Sequence, residues 1–264
     1  MAKKKFRPKN IISLILLGIL AYVAVHFVYP DVSKLKTENP KKTAFMEYRE
    51  KEWAEEGKKF RIRQIWVPYR AISPYLIKAV LIGEDDKFWQ HEGFDYEAMQ
   101  KAVEKDIRAK KFKLGGSTIS QQLVKNLYLS PSKNPVRKIR EAIITWRMER
   151  TIPKKRILEL YLNTAEWGDG GIFGIEAASL HHYGKSASAL GPEEAARLAS
   201  VLPNPRKFNP LGTSRYVVNR SGLIYNIMVR RGIVVPEYEE MELSGHQDME
   251  ESTGPLVSPT GETK

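Results

Sequence analysis

Residues 115–126 read GGSTISQQLVKN. A Gly-Gly pair opens the stretch, the hydroxyls of Ser117 and Thr118 follow, and two adjacent amides, Gln121 and Gln122, precede Lys125 and Asn126. A segment that only fills a core would not carry so many uncharged donors and acceptors beside a lysine. One that holds a sugar and its phosphate would. From residue 117 to 127 the stretch reads as a helix, and the same reading recurs on both sides of it.

Upstream, Ser73-Pro74 marks a helix start, with serine at the cap and proline at the first helical position. The helix reads PYLIKAVLIGED, with Leu76, Ile77, Val80 and Leu81 on one stripe. Further helices are expected over 96–111, 135–150, 154–162, 175–182 and 216–231, and another that opens at Gly191-Pro192 and runs to 201. Residues 62–68 (IRQIWVP) fit a short strand or an extended lead-in. Strand signals are few and no internal repeat is visible. The sequence therefore describes a mainly α domain over 61–235. From 236 to 264 the chain turns acidic and polar, with Glu237, Glu239, Glu240, Glu242, Asp248, Glu250 and Glu251, and reads as a disordered tail. No second catalytic domain is expected after it.

The N-terminus has a different grammar. Residues 1–10 form a basic tail, and residues 11–29 carry no charge unless His26 is protonated. About 20 apolar residues suffice to cross a bilayer, so this run is expected to be a transmembrane helix. Lysine and arginine before it orient the N-terminus to the cytoplasm. A cleaved signal peptide is the competing reading, disfavoured by the length of the run and the lack of small residues at the cleavage positions. Residues 30–60 read as a charged stalk with some helix. The 264-residue chain has no cysteine and a formal net charge of +12. Such a surface suits nucleic acid, anionic lipid or a phosphate-bearing substrate. Outside the cytoplasmic membrane, nucleic acid drops out.

Two carboxylates stand out. Glu84 lies eight residues after Leu76 and four after Val80, so it extends the buried stripe of its helix. Desolvation there raises a carboxyl pKa toward the range of a general base. Asp85, Asp86, Phe88, His91, Gly93 and Asp95 follow, either as an acidic helix end and solvated turn or as part of a site. An acidic helix C-terminus opposes the helix dipole, so local stability alone does not favour it. Glu141 follows Arg137 and Lys138 at helical spacing, which an ordinary ion-pair set would also explain. Yet Lys125, Lys133, Arg137, Lys138 and Arg140 exceed what one glutamate needs and match what a pyrophosphate needs. His91 and the pair His181-His182 lack zinc-site spacing and read as structural. The apolar residues Phe112, Leu114, Leu127, Tyr128 and Leu129 fit a core or a lipid surface equally well. Paired carboxylates also serve glycosidases, where one acid protonates a poor leaving group. Transfer from a lipid diphosphate instead needs one base on the acceptor hydroxyl and a cationic clamp on the leaving group.

These segments together resemble the bacterial peptidoglycan glycosyltransferases, most closely the monofunctional, membrane-anchored biosynthetic form. The matching motifs, in order, are EDDKFWQHEGFD (84–95), GGSTISQQLVKN (115–126), RKIRE (137–141), RILELYLNTAEWGDGGIFGIEAA (156–178) and AARLASVLPNPRKFNP (195–210). The resemblance implies a lysozyme-like helical lobe with a smaller membrane-proximal lobe, preceded by one N-terminal transmembrane helix. It makes Glu84 the catalytic base on the 4-hydroxyl of the N-acetylglucosamine of lipid II, and Glu141 the second essential carboxylate. Lys125 and Lys133 would hold pyrophosphate, supported by Arg137 and Lys138. Ser117, Thr118, Gln121 and Gln122 would line the donor site, and Asp85, Phe88, His91 and Asn126 would complete the substrate-binding set. The implied reaction inverts the anomeric centre, forms a β-1,4 linkage and releases undecaprenyl pyrophosphate, without transpeptidation. No cofactor is required, and a Mg2+ or Mn2+ ion would sit on the substrate pyrophosphate. The partners would be lipid II, lipid-linked glycan, membrane lipids and other cell-wall synthesis or division proteins. The location would be the cytoplasmic (inner) membrane, with the catalytic domain on its outer face.

Two departures from the family pattern stand out. Arginine is common in the family where this chain has Lys133, and the segment 168–174 (GDGGIFG) is one residue longer than usual. The rival readings are a lytic transglycosylase, which would not need the cations, and a non-enzymatic membrane scaffold, which would not need Glu84, Glu141 and Lys125.

Overall fold

The computed structural model of the chain describes residues 8–109, 116–131 and 135–234. It is mainly helical. The helices are α1 (Pro8–His26), α2 (Ala44–Glu55), α3 (Pro74–Glu84), α4 (Tyr96–Ala109), α5 (Ile119–Tyr128), α6 (Pro135–Thr151), α7 (Lys154–Thr164), α8 (Ile175–Tyr183), α9 (Pro192–Val201) and α10 (Arg215–Arg230). Each helix expected from the sequence is present, with ends displaced by a residue or two where they fall among the described residues, except that the run expected as helical over 11–29 is helical over Pro8–His26, three residues earlier at both ends. Lys133, Gly115, Phe112, Leu114 and the acidic tail lie outside those residues.

The core corrects one expectation. Helix α5, cut from the polar-looking opening stretch, is itself a core helix, with Ile119, Leu123, Val124 and Leu127 buried. It packs against α6 and α7, while α3 packs against α9 and α10. Ser120, Gln121 and Asn126 are buried with the apolar residues. Ser120 is satisfied by donating to Glu149 of α6, and Gln121 by accepting from the Thr118 N–H at the start of α5. Leu127 and Leu129 join the main core cluster, and Tyr128 packs half-buried against it, which assigns these three to packing.

Helix α3 follows its sequence signals with one change. Ser73 sits at the N-cap position, but its hydroxyl donates to the Leu190 carbonyl at 2.7 Å instead of capping the helix. That bond ties the start of α3 to the turn leading into α9. Leu76, Ile77, Ala79, Val80 and Leu81 are buried, so the stripe points inward and delivers Glu84 to the end of a fixed rod.

Three short strands form one sheet in the order β1-β3-β2: β1 (Arg63–Gln64), β2 (Glu166–Gly168) and β3 (Ile172–Phe173). β1 runs parallel to β3 and β2 antiparallel to it. Only β1 was legible in the sequence, because β2 and β3 are too short and glycine-rich to show alternation. The glycine-rich segment 168–174 is the hairpin between them. Gly171 has φ +87°, and a Cβ there would lie 2.3 Å from the Arg61 carbonyl oxygen. Its own carbonyl accepts from the Arg63 N–H at 2.8 Å.

The segment 30–60 is not a free stalk. Met46 and Trp53 of α2 are buried with Phe173 in a second small cluster. Arg49 donates to Glu166 from Nη2 at 2.8 Å and from Nε at 3.2 Å, binding α2 to β2. Helix α1 is held at its C-terminal end by Arg147 of α6. That guanidinium donates to the carbonyls of His26 (3.2 Å), Val28 (2.8 Å) and Pro30 (2.9 Å). Leu14, Ile15, Leu16, Leu17 and Leu20 of α1 are 57–65% exposed. Among the described residues no helix is long and apolar enough to cross a membrane. The uncharged part of α1, residues 10–26, covers only about 25 Å at ~1.5 Å per residue, against a hydrocarbon core of ~30 Å.

Candidate active site

Glu84 is the last residue of α3, and its side chain is 9% exposed. Oε1 accepts from Arg220 Nη2 at 3.0 Å, and Oε2 accepts from Gln122 Nε2 at 3.1 Å. Burial pushes the carboxyl above the usual carboxylate range; Gln122, Arg220 and Lys125 pull the other way without cancelling it. The environment foreseen from the helical stripe is therefore present. Arg220 also donates to the Gly83 carbonyl at 2.8 Å, so a cation covers the helix end that the acidic cluster would otherwise disfavour. Asp86 is matched in the same way by Arg231, just past α10, at 2.6 and 2.8 Å.

Other residues of the first motif also brace the structure around the cleft, which Asp85, Asp86, Lys87 and Asp95 line as well. Asp85 is buried and accepts from the Ile119 N–H at 2.9 Å, at the first turn of α5. Its other oxygen lies 2.8 Å from His91 Nε2. The Gly93 N–H donates to His91 Nδ1 at 3.1 Å, so Nε2 carries the hydrogen and donates to Asp85. Phe88 is fully buried, with the Lys154 ammonium 4.3 Å from its ring centroid. A side chain with no exposed surface cannot touch substrate, so Phe88 is corrected from the substrate-binding set to the core. His91, positioned by Asp85 and Gly93, lines neither of the clefts described below.

The second motif divides by face. Thr118 caps α5, accepting from the Gln121 N–H at 3.3 Å and donating to the Gly93 carbonyl at 2.7 Å. Gln121 closes the capping box by accepting from the Thr118 N–H at 3.0 Å. The hydroxyl and amide that looked like sugar ligands thus mostly hold the helix start. Asn126 is buried and away from the clefts. Ser117, Gln122 and Lys125 occupy the other face.

That face separates two openings. The first, about 720 Å³, is lined by Glu84, Asp86, Lys87, Thr118 and Arg220 among others. The second, about 270 Å³, is lined by Met99, Val103, Gln121, Arg137, Lys138 and Glu141. Gly116, Ser117, Gln122 and Lys125 line both. Burial lowers the Lys125 ammonium from its ordinary pKa, and the neighbouring Arg137 and Lys138 push the same way, against Glu141 and Glu84. Glu141 is 3% exposed and paired with Arg137 at 3.3 Å and with Lys138. The ordinary helical ion-pair set is thus real, and it sits in the wall of a cleft. Among the described residues no group of three or more His, Asp or Glu is arranged to hold a metal. Chemically, the site offers a carboxylate able to take a proton in one cleft and positive charge shared with the next.

Two residues at this site escaped the sequence reading. Arg220 carried a signal: it falls among Val217, Ser221, Ile224 and Met228, the buried face of α10. A charged residue on an apolar stripe needs a partner, and Glu84 is that partner. Tyr161 is 2% exposed on α7, and its hydroxyl donates to Gln122 Oε1 at 3.1 Å. Nothing in its sequence context distinguishes it from a core tyrosine.

A mainly helical chain with one braced, buried carboxylate at a cation-bearing cleft fits an enzyme of sugar transfer. Residues 51–229 match the family model described as Transglycosylase, and the chain belongs to that family. It is 43% identical over 219 residues to a biosynthetic peptidoglycan transglycosylase of Nitrosospira multiformis, covering 81% of this chain and 95% of that protein. Proteins of the same description from Azoarcus sp. and Dechloromonas aromatica are each 52% identical. They match over 182 and 171 residues, or 69% and 65% of this chain and 78% and 74% of theirs.

Proposed function

We propose that this protein is a peptidoglycan glycan-chain polymerase using lipid II. The observation that carries the reading is Glu84: buried, raised in pKa, braced on both oxygens, and facing a cleft that shares the Lys125 wall with a second, cationic one. In the proposed reaction Glu84 takes the proton of the acceptor 4-hydroxyl of N-acetylglucosamine. The oxygen forms a bond to the anomeric carbon of the growing chain as the bond to undecaprenyl pyrophosphate breaks, with inversion to the β-1,4 linkage. Lys125, Arg137 and Lys138, with Lys133 outside the described residues, would balance the charge of the departing pyrophosphate. A Mg2+ or Mn2+ ion, where present, would ride on that substrate group. The lysozyme-like arrangement and a lobe facing the bilayer belong to the same proposal. So does α1 as a membrane anchor, supported by its exposed leucines and the uncharged run of 11–29.

The test is incubation of purified full-length protein with labelled lipid II. The expected product is polymer, and Glu84→Gln should reduce its formation at least ~100-fold, the usual worth of a general base. A variant that polymerises normally would remove Glu84 from its role. Cleavage of preformed glycan instead of polymerisation would identify a lytic enzyme, and no reaction at all a scaffold.

A further inference from the structure

Both amide hydrogens of Gln122 and one lone pair of its oxygen are engaged. Nε2 donates to Glu84 Oε2 at 3.1 Å and to the Ser117 carbonyl at 3.4 Å, and Oε1 accepts from the Tyr161 hydroxyl at 3.1 Å. Turning the amide over would set Oε1 against a carboxylate and a carbonyl, neither of which can donate. The amide orientation is therefore fixed by chemistry, and Tyr161 must be the donor in its own bond. We propose that Tyr161 is a positioning residue for the reaction, holding the Gln122 amide so that Glu84 Oε2 always receives a hydrogen bond. The proposal rests on the reading of Glu84 as the base.

The rest of the geometry agrees. Tyr161 is buried on α7, one of the helices packed against α5, so its hydroxyl is set by the core and not by the cleft. Burial, with the Glu84 and Asp85 carboxylates adding to it, holds the phenol well above its ordinary pKa, and it stays a donor at every working pH. Gln122 is the reverse case: it lines both clefts, where its amide would otherwise be free to turn toward solvent or substrate. With Arg220 on Oε1 and Gln122 on Oε2, each oxygen of Glu84 holds one donor and keeps a lone pair for the acceptor hydroxyl. A released amide would leave one oxygen bare. That stabilises the charged carboxylate less and raises its pKa further.

The experiment is the pH dependence of kcat/KM for lipid II polymerisation by wild type, Tyr161→Phe, Gln122→Met and the double variant, with thermal melts to check folding. Tyr161→Phe keeps the buried ring and removes only the hydroxyl. The expected result is an acid limb moved upward by about 0.5–1 pH unit in each single variant, since a hydrogen bond to the charged form is lost. The double variant should show no more than the Gln122→Met shift, because the two side chains act through one contact. A Tyr161→Phe profile that overlays wild type, or a loss equal at all pH values, overturns the proposal. So do shifts that add in the double variant. If Tyr161→Phe fails to fold, an unmoved acid limb in Gln122→Met overturns it alone. A wild type that makes no polymer would sink the reading beneath the proposal, a result distinct from all of these.

Discussion

At the scale of single residues, Glu84 works against the fold that holds it. Burial raises its pKa, so the folded chain binds that proton more tightly than the unfolded chain does. A carboxyl shifted in that direction stabilises the fold below its unfolded pKa, and the contribution is lost as pH rises through the folded value. At neutral pH and above, the ionised group is a liability that Arg220 and Gln122 only partly offset. Glu84→Gln is accordingly expected to melt at a higher temperature than wild type at pH 8, with the difference closing as pH falls through the raised pKa. A series of thermal melts checks this, and equal melting temperatures throughout would show that the braces fully compensate the burial. Position 84 was found from helical spacing alone, because an acidic residue on an apolar stripe is visible without a structure. The roles of Thr118 and Gln121 were not. A hydroxyl that caps a helix and one that binds a sugar have the same letter, and only the partner at hydrogen-bond distance separates them.

At the scale of elements, the helices were readable because their signals are local: proline at the first turn, glycine before it, apolar residues recurring on one face. The sheet was not, because its strands are two or three residues long and β1 meets β3 across more than a hundred positions. What makes that sheet possible is the hairpin glycine Gly171, whose φ of +87° and 2.3 Å approach to Arg61 leave no space for a side chain. Gly184, which ends α8 at φ +67°, has nothing within 4 Å of a Cβ position. The two glycines therefore make a matched pair. Gly184→Ala should cost about 1 kcal/mol, the left-handed penalty alone. Gly171→Ala should cost at least ~2 kcal/mol, since backbone must also move. Urea unfolding of both variants measures the difference, and equal costs would mean that β1 and β3 separate freely.

For the whole molecule, the expected division into anchor, stalk and domain becomes a more connected object. The α2 helix is bound to the sheet through Arg49 and Glu166, and the exit of α1 is fixed by three carbonyl contacts from Arg147. If α1 is the anchor, the catalytic domain is held at a set angle to it and does not swing on a tether. Full-length protein should then stay with the membrane fraction through a high-salt wash. A chain lacking residues 1–30 should be released by that wash, because its basic surface binds only electrostatically. Retention of the truncated chain under high salt would assign membrane binding to the domain itself. Local chemistry in the sequence determined the helices, the uncharged N-terminal run and a carboxylate at Glu84 on a buried helical stripe, since each rests on spacing within about twenty residues, and the order of five such local motifs gave the family resemblance. Only the tertiary structure decided that α5 is core, that Phe88 is packing, and that Arg220 and Tyr161 converge on Glu84 directly and through Gln122. Those facts depend on residues tens to more than a hundred positions apart meeting in space, and no local pattern records such a meeting.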